Sequence, residues 1–221
     1  RKTAVFLMIE RTLARFTDAI IAISSQQREE IYEQFRVGRA GQFHVVRLGI
    51  DLEPFTRAEE KRCVLRNEIA ASDDEILVGF VGRLTEIKNI PLFLEAAAIF
   101  LKTRQTDSPK LRFVIVGDGH LRDELEALTD KLGIRELVLF LGNRNDTDVF
   151  YAGLDLVALT SFNEGTPLSL IEAMANGKPF VATKVGGVVD LLGEIQIGPD
   201  GTEIGDRGIA AGLIVGPEFH R

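Results

Sequence analysis

The amino-acid sequence predicts an α/β fold built on a parallel, doubly wound sheet. From residue 76 onward, short segments rich in Val, Ile, Leu and Phe alternate with segments whose apolar residues recur at helical spacing. The short segments show little alternation of polar and apolar residues, which is typical of strands buried on both faces. Repeated alternation of strand and helix favours parallel strands joined by right-handed crossovers. A composition of 45% hydrophobic and 27% charged residues is ordinary for a globular chain with a sizeable core.

The predicted elements follow one another in a regular order. The strands of the second half are predicted at residues 76–82, 112–117, 137–142, 155–161 and 179–184. The helices between them are predicted at residues 90–104, 120–133, 147–154 and 167–177. The first half repeats the pattern in shorter form, with helices at residues 2–16 and 25–36 and strands at residues 18–24 and 43–49.

This pattern predicts two Rossmann-like domains, neither of them complete. Residues 1–50 are assigned to the C-terminal part of a first domain, and residues 51–75 to a polar linker with one short helix. Residues 76–221 are assigned to a second domain that is incomplete at its C-terminus. The first helix carries no start signal of its own and the chain does not begin with Met, so we expect a fragment of a two-domain protein.

The charge and the cysteine content indicate which partners and which redox environment to expect. The formal net charge is −7, so a nucleic acid held through its phosphates is not an expected partner. Residues 1–48 contain eight Arg and Lys against five Asp and Glu, a net charge of +3, which we interpret as a solvated helix face rather than a membrane-binding surface. The single cysteine, Cys63, excludes an internal disulfide and favours a reducing cytoplasm. No apolar segment is long enough to span a bilayer.

Two cations follow the first strand of the second half, in the loop GRLTEIKN (residues 82–89). Gly82 lets the chain turn, Arg83 offers a planar fork for phosphate oxygens, and Lys88 offers a point charge. Open α/β sheets bind ligands beyond the carboxyl ends of their strands, where this loop lies. The two cations could therefore hold a diphosphate, or they could be solvated surface residues, and their spacing leaves both interpretations open.

Glycines follow the next two strands. In VGDGHL (residues 116–121), Gly117 and Gly119 permit close backbone approach before a helix, but the third glycine of a dinucleotide-binding motif is missing. A tight structural turn is the favoured interpretation of this motif. Gly142 and Asn143 open a polar loop that suits the wall of a pocket for a nucleotide base.

The segment NEGTPLSLIEAMANGKP (residues 163–179) contains a helix with signals at both ends. Thr166 is a predicted N-cap and Pro167 suits the first helical position, while Gly177 followed by Pro179 closes the helix. The first amides of a helix have no partner within it and attract anions. These free amides are expected at Leu168, Ser169 and Leu170.

Two glutamates flank this helix start. Glu172 shares a helical face with Leu168 and Ser169 and leans back toward the N-terminus, while Glu164 precedes the helix in a loop. Each carboxylate could accept hydrogen bonds from a sugar diol. We expect nearby cations and helix amides to keep both carboxylates ionised, which favours a pocket for a phosphate-bearing, polyhydroxyl ligand over an acid–base pair. The alternative assigns Glu164 to solvent or a cap and Glu172 to a salt bridge.

Taken in order, these motifs resemble the GT-B retaining glycosyltransferases of the glycosyl transferases group 1 family (GT4). The resemblance rests on GRLTEIKN, FVIVGDGHLRDEL and LFLGNRNDTDVFYAGLDLVALTSFNEGTPLSLIEAMANGKPFVATKVGG, in which the two glutamates match the E-x7-E motif of that family. Residues 1–50 look like the end of the family's N-terminal domain. Residues 193–212 depart from the family, because they form a longer polar segment than its usual connection.

The resemblance implies a role for each candidate residue. Arg83 and Lys88 would bind the donor diphosphate and stabilise it as it departs. Glu164 would contact the donor sugar, and Glu172 would hold the ribose hydroxyls. The remaining donor-binding residues implied are Gly165, Thr166, Pro167, Leu168 and Ser169 around the helix start, and Gly82, Gly117, Gly119, Gly142 and Asn143 around the nucleotide.

The resemblance also implies an activity. The family transfers a sugar from a nucleotide-diphosphate-sugar, with retention of anomeric configuration and generally without a bound metal or cofactor. We therefore expect the donor-binding half of a hexosyltransferase-like enzyme that uses a UDP-, GDP- or ADP-linked donor, and we expect this half to be inactive alone.

The sequence leaves the acceptor, the membrane contact and two alternative functions open. The acceptor could be a lipid-linked saccharide, a polysaccharide or a small molecule, and the N-terminal region could bring a cytoplasmic protein to a membrane surface. Two other functions are compatible with the residues: a nucleotide-binding module of the same fold without activity, and a related nucleotide-sugar epimerase.

Overall fold

The computed structural model describes residues 2–46, 48–105, 108–191, 195–197, 203–205 and 208–211, and the chain divides into two compact units, Arg1–Ile50 and Asp51–Arg221. The elements of the first unit are helix α1 (Lys2–Leu13), strand β1 (Ile20–Ala22), helix α2 (Ser25–Glu29) and strand β2 (Phe43–Val45). The two strands pair in parallel, with Ile20 opposite Phe43, as the strand–helix–strand pattern predicted. Both strands are shorter than the apolar segments that predicted them.

The second unit holds a large sheet and several helices. The helices are α3 (Ala58–Glu68), α4 (Ile90–Thr103), α5 (Arg122–Leu132), α6 (Thr147–Gly153) and α7 (Leu168–Ala175). The strands are β3 (Ile76–Val81), β4 (Leu111–Val116), β5 (Val138–Gly142), β6 (Leu156–Leu159), β7 (Phe180–Thr183), β8 (Ile195–Ile197), β9 (Glu203–Gly205) and β10 (Gly208–Ala211). Every element predicted between residues 76 and 184 is present, with ends that differ by no more than two residues.

The order of the strands creates a crevice at one edge of the sheet. The order is β5-β4-β3-β6-β7-β10-β9-β8, and β3 to β7 pair in parallel. The chain builds outward from β3 to β5 and then returns to place β6 on the other side of β3, so the strand order reverses between β3 and β6. Loops on the two sides of such a reversal diverge at the carboxyl ends of the strands, where open α/β sheets bind ligands.

The central strands are buried on both faces, as their apolar composition predicted. Phe80, Val114 and Ile115 have no exposed surface. Gly79 in β3 makes room for a neighbouring side chain, because a methyl group at Gly79 would lie 2.3 Å from Leu154 Cδ1. The parallel α/β class is therefore confirmed.

Helix α7 closes as its sequence predicted. Gly177 has φ 66°, a conformation that glycine adopts without strain. Its amide donates to Met174 O at 2.9 Å, and the amide of Lys178 donates to Ala173 O at 2.9 Å. These two bonds form a Schellman motif, which satisfies carbonyl groups that the helix leaves open.

The polar segment 193–212 contributes strands that its sequence does not predict. β10 pairs in parallel with β7, β9 pairs antiparallel with β10, and β8 pairs antiparallel with β9. Antiparallel strands at the edge of a sheet can carry a solvated face, so they need no continuous apolar segment. The other residues of this segment, and the predicted incomplete end at residues 212–221, lie outside the described residues.

Helix α3 lies in segment 51–75, where the sequence predicts a polar linker with one short helix. The helix is present and packs against α6. Leu65 on this helix and Phe55 just before it are buried in the core of the second unit. The segment therefore contributes to the core that follows it, and its role as a linker between domains stays a prediction.

A buried arginine fastens α3 to the sheet. The Arg66 side chain is 2% exposed. Asp155, at the start of β6, receives the Leu77 amide at 2.8 Å and pairs with Arg62 at 2.8 Å. Burial opposes the ionisation of Asp155, but the Leu77 amide and the two arginines outweigh it and lower the pKa of the carboxyl group. The Arg66 guanidinium donates to Asp155 Oδ2 at 3.0 Å, Gly153 O at 2.9 Å, Ser72 O at 3.2 Å and Glu75 O.

We expect Arg66→Met to lower the free energy of unfolding by about 3–5 kcal/mol, because it removes one partner of a buried ion pair and leaves carbonyl groups unsatisfied. Arg62→Met is the matched control. Arg62 contacts the same carboxylate, but its side chain is 37% exposed. Its loss should cost no more than about 1 kcal/mol. Equilibrium urea unfolding measures both values, and equal costs would contradict the role given to Arg66.

Candidate functional site

Backbone hydrogen bonds join the loops that leave the carboxyl ends of β3 to β7. Each bond connects the loops of two neighbouring strands, so the five loops form one continuous rim. The bonds are Gly117 N to Gly142 O at 2.8 Å, Leu84 N to Asp118 O at 3.0 Å, Phe162 N to Ile87 O at 2.9 Å and Gly187 N to Gly165 O at 3.1 Å. The backbone of this rim holds the candidate residues that the loops carry.

Gly117 and Gly119 allow the second loop of the rim to pack against the first. A methyl group at Gly117 would lie 2.0 Å from Gly82 O, and one at Gly119 would lie 2.3 Å from Leu84 O. Gly117 also has φ 132°, which other residues rarely adopt. The favoured interpretation, a tight structural turn, agrees with this geometry. The nucleotide-lining role of these glycines stays a prediction.

A second glycine pair, which sequence reasoning missed, packs against the loop that carries Glu164. Gly186 has φ 50°, and a methyl group there would lie 1.7 Å from Glu164 O. A methyl group at Gly187 would lie 2.1 Å from Gly165 O. The adjacent glycines after a buried strand were the available signal, because such pairs mark close backbone approach. They set the position of the Glu164 loop above the sheet.

Glu164 and Lys88 form an ion pair across the crevice. Lys88 Nζ lies 2.6 Å from Glu164 Oε1, and the two side chains are 20% and 9% exposed. The fully buried Ser161 donates its hydroxyl group to the same carboxylate oxygen. Thr183 in turn donates to Ser161 O at 2.6 Å. The structure thus brings together two predicted residues and rules out the alternative that leaves Glu164 to solvent. Ser161 and Thr183 are partners that the sequence did not identify.

Arg83 lies on the same loop as Lys88, five residues before it. The side chain is exposed, and it makes no hydrogen bond or ion pair with the described residues. Gly82, directly before it, donates its amide to Val116 O at 3.0 Å and so continues the strand pairing. The five N–H donors of the Arg83 guanidinium are therefore without an acceptor in the described part of the chain.

Helix α7 begins one residue later than predicted. Pro167 has φ −75° and ψ 94°, so its backbone is extended and it precedes the helix, and the Thr166 side chain does not cap it. Leu170 donates its amide to Pro167 O at 3.0 Å, so the prediction of a free amide is wrong for Leu170. The amides of Leu168 and Ser169 have no acceptor among the described residues. Two amides are therefore available to a ligand.

Glu172 lies in α7 and is partly buried, without an ion-pair partner among the described residues. Burial raises the pKa of its carboxyl group above the ordinary glutamate value. This corrects the expectation that cations favour the ionised form of both glutamates, because Lys88 pairs with Glu164 alone. It also rules out the alternative of a salt bridge at Glu172 within the described part of the chain.

Gly142 and Asn143 stand at the far end of the rim. Gly142 has φ 69° and accepts the Gly117 amide, so it ends β5 with a turn. Asn143 is exposed, and its side chain makes no hydrogen bond with the residues that the structure describes. Contact of either residue with a base stays a prediction.

The described ranges contain neither a cluster of metal ligands nor a membrane-spanning helix. No group of three or more His, Cys, Asp and Glu side chains there is arranged to hold a metal ion. None of the helices described combines the length and the apolar character needed to cross a membrane.

The rim combines groups suited to two kinds of ligand atom. The Arg83 guanidinium, the Lys88 ammonium and the free amides of α7 suit phosphate oxygens. The carboxylates of Glu164 and Glu172 accept hydrogen bonds and so suit hydroxyl groups. A ligand that carries both phosphate and hydroxyl groups would match this arrangement.

Comparisons with known proteins agree in one family. A family model described as glycosyl transferases group 1 matches residues 62–199. An uncharacterized glycosyltransferase of Methanocaldococcus jannaschii is 32% identical over 177 residues, which are 78% of this chain and 44% of that protein. A UDP-Gal:alpha-D-GlcNAc-diphosphoundecaprenol alpha-1,3-galactosyltransferase of Escherichia coli is 30% identical over 185 residues, 83% of this chain and 47% of that protein. The chain thus spans about half the length of the curated relatives it matches.

Solved structures support the GT-B fold. Anabaena HepE, in complex with UDP and glucose, superposes with a TM-score of 0.76 at 29% identity, over 93% of this chain and 52% of that chain. WaaG, a glycosyltransferase involved in lipopolysaccharide biosynthesis, gives a TM-score of 0.67 at 23% identity, over 77% of this chain and 45% of that chain, which supports the fold alone. Both neighbours are GT-B glycosyltransferases, and the predicted fold class is confirmed.

We expect Gly187→Ala to lower the free energy of unfolding by about 1–3 kcal/mol, because the new methyl group would force two loop backbones apart. Gly41→Ala is the control, since nothing lies within 4 Å of a methyl group at Gly41. Urea unfolding measures the cost, and two-dimensional amide spectra show whether Glu164 and Gly165 shift. A Gly187→Ala protein as stable as the control, with these two amides unmoved, would overturn the role given to Gly187.

We expect Glu172→Gln to stabilise the chain above the pH at which glutamate ordinarily titrates. A carboxyl group whose pKa is raised by folding binds its proton more tightly in the native state, so the wild type loses stability as the pH rises from 4.5 through the raised value. The glutamine variant mimics the protonated side chain and avoids that loss. Urea unfolding at several pH values should show an advantage near neutrality that shrinks on acidification; an advantage independent of pH would contradict the assignment.

Proposed function

Because the chain belongs to the glycosyl transferases group 1 family, we propose that it forms the donor-binding half of a retaining glycosyltransferase. The observation that carries the proposal is the joining of Arg83, Lys88, Glu164 and the start of α7 on one rim, at the reversal of strand order. That edge is where open α/β sheets bind nucleotides. Glu172 lies on the first turns of the same helix.

The diphosphate of the donor would lie between the cations and the start of α7. Arg83 has no competing partner among the described residues, so its planar fork is available to phosphate oxygens. The free amides of Leu168 and Ser169 and the dipole of α7 add partial positive charge. Lys88 contributes a full charge from the opposite wall while it stays within 2.6 Å of Glu164.

The two carboxylates would hold the sugar groups on either side of the diphosphate. Glu172 would accept hydrogen bonds from the ribose hydroxyls, since a carboxylate can serve both donors of a vicinal diol. Glu164 would contact the donor sugar, and its bonds to Lys88 and Ser161 restrict the orientation of its carboxylate. Gly142 and Asn143 would then face the base.

In this proposal, catalysis rests on stabilisation of the departing nucleoside diphosphate. Arg83, Lys88 and the α7 amides would meet the negative charge that develops as the glycosidic bond breaks. The acceptor hydroxyl would attack on the same face, which retains the anomeric configuration. The residues on the rim supply this charge stabilisation themselves, so we propose a reaction without a metal or cofactor in the cytoplasm. The acceptor site belongs to the other half of the enzyme.

We expect calorimetric titration to find binding of one nucleoside diphosphate among UDP, GDP and ADP. UDP is the first candidate, because the similar HepE structure holds UDP. Arg83→Ala and Glu172→Gln should each weaken binding by about tenfold to a hundredfold, since each removes hydrogen bonds that involve a charged group. Lys131→Ala is the control for the loss of one exposed positive charge in the last turn of α5, away from the rim.

The outcomes separate a donor pocket from a module that does not bind a donor. Binding that is weakened by both site variants and unchanged by Lys131→Ala supports a donor pocket. A folded chain that binds none of the three nucleotides, or binds one with indifference to both site variants, would refute the proposal and favour a module without activity.

A further inference from the structure

A buried hydroxyl group beside the rim has no assigned role. Tyr151 in α6 has no exposed surface, and its hydroxyl group makes no hydrogen bond in the described structure. Its ring is held against Phe150, with 4.6 Å between the ring centroids. Leaving a hydroxyl group buried without a partner is unfavourable, so such a group calls for a functional explanation.

The acidic group that faces this hydroxyl is Glu172. Helix α6 packs against α7, which carries Glu172. The Tyr151 hydroxyl lies close enough for the carboxylate to act on it: burial, and then the negative charge of Glu172, raise the pKa of Tyr151 well above its ordinary value. The two groups are near one another without completing a hydrogen bond of good geometry.

We propose that Tyr151 is a positioning residue for Glu172: its hydroxyl group donates to one carboxylate oxygen and turns the carboxylate toward the ribose diol of the donor. The proposal rests on the proposed function of Glu172 as the ribose-binding group. Tyr151 itself is too deeply buried to reach the ligand. It acts through the carboxylate alone.

The Tyr151 hydroxyl group would affect both the orientation and the ionisation of Glu172. Glu172 has no cation to orient it among the described residues, unlike Glu164, which is held by Lys88 and Ser161. A rigid phenol, fixed by packing on all sides, can supply the missing direction at little cost in side-chain entropy. Donation to the charged form also favours the ionised carboxylate, which opposes the effect of burial on Glu172. An ionised, oriented carboxylate binds a diol with less reorganisation.

The test uses Tyr151→Phe, which removes only the hydroxyl group. A purely structural role and the proposed role predict different results. Without nucleotide, the variant should have a midpoint of urea unfolding close to that of the wild type, because the ring keeps its packing and only the hydroxyl group is lost. It should nevertheless bind the preferred nucleotide about fivefold to twentyfold more weakly. Tyr32→Phe, at the other tyrosine of the chain, is the matched control and should change neither property.

Two further measurements identify the route of the effect. The nucleoside diphosphate and its 2′-deoxy analogue should differ in affinity for the wild type, and Tyr151→Phe should reduce that difference, because it disturbs the group that reads the diol. In a Glu172→Gln background, Tyr151→Phe should have little further effect, since residues that act as one unit are not additive.

Each outcome decides between the two proposals. If the wild type binds a nucleotide and Glu172→Gln weakens binding, but Tyr151→Phe binds as tightly as the wild type, the positioning role is refuted and the proposed function stands. If Tyr151→Phe weakens binding equally in the Glu172→Gln background, its effect does not pass through Glu172 and the proposal is also refuted. If Glu172→Gln leaves binding unchanged, the donor site itself is misassigned and the positioning role falls with it.

Discussion

Close backbone approach at the carboxyl edge of the sheet is the constraint on which the site depends. The rim can form only where no Cβ atom stands between neighbouring loops. A methyl group added at Gly117 would lie 2.0 Å from Gly82 O. A methyl group added at Gly186 would lie 1.7 Å from Glu164 O. Ordinary contacts between carbon and oxygen need far more room, so side chains at these positions would spread the loops. The spacing of Lys88, Glu164 and the α7 amides follows from backbone packing before any ligand contact is considered.

The two carboxylates on the rim have different neighbours. Glu164 has a cation and a hydroxyl group within hydrogen-bonding distance, which fix the direction of its carboxylate. Glu172 is partly buried without an ion-pair partner in the described ranges, and burial raises the pKa of its carboxyl group. Two residues of one type, in one loop–helix segment, therefore have different surroundings because of what the neighbouring elements place beside them. The two glutamates of one sequence segment therefore lie in two different environments.

Local patterns account for most of the fold and for the choice of the candidate residues on the rim. Apolar segments predicted β3 to β7, and Gly177 predicted the end of α7, because burial and backbone conformation act on nearby residues. Contacts between distant residues could not be predicted in this way. The pairing of Lys88 with Glu164 depends on β6 lying beside β3, and the packing of Gly187 on Gly165 depends on β7 lying beside β6. A local pattern does not specify strand order. The predicted start of α7 was wrong for a local reason. Thr166 has the chemistry of an N-cap, but the extended backbone of Pro167 separates it from the helix.

The contact between Arg66 and Asp155 has a consequence for the order in which the chain becomes structured. The two residues are 89 positions apart, and Asp155 directly precedes β6, a strand in the interior of the sheet. At about 5–20 residues per second, a ribosome needs roughly 4–18 s to extend the chain from one to the other. During that interval Arg66 has no Asp155 to pair with, and Leu65 has no α6 to cover it. The newly made segment therefore has an apolar face exposed until α6 and Asp155 have been made.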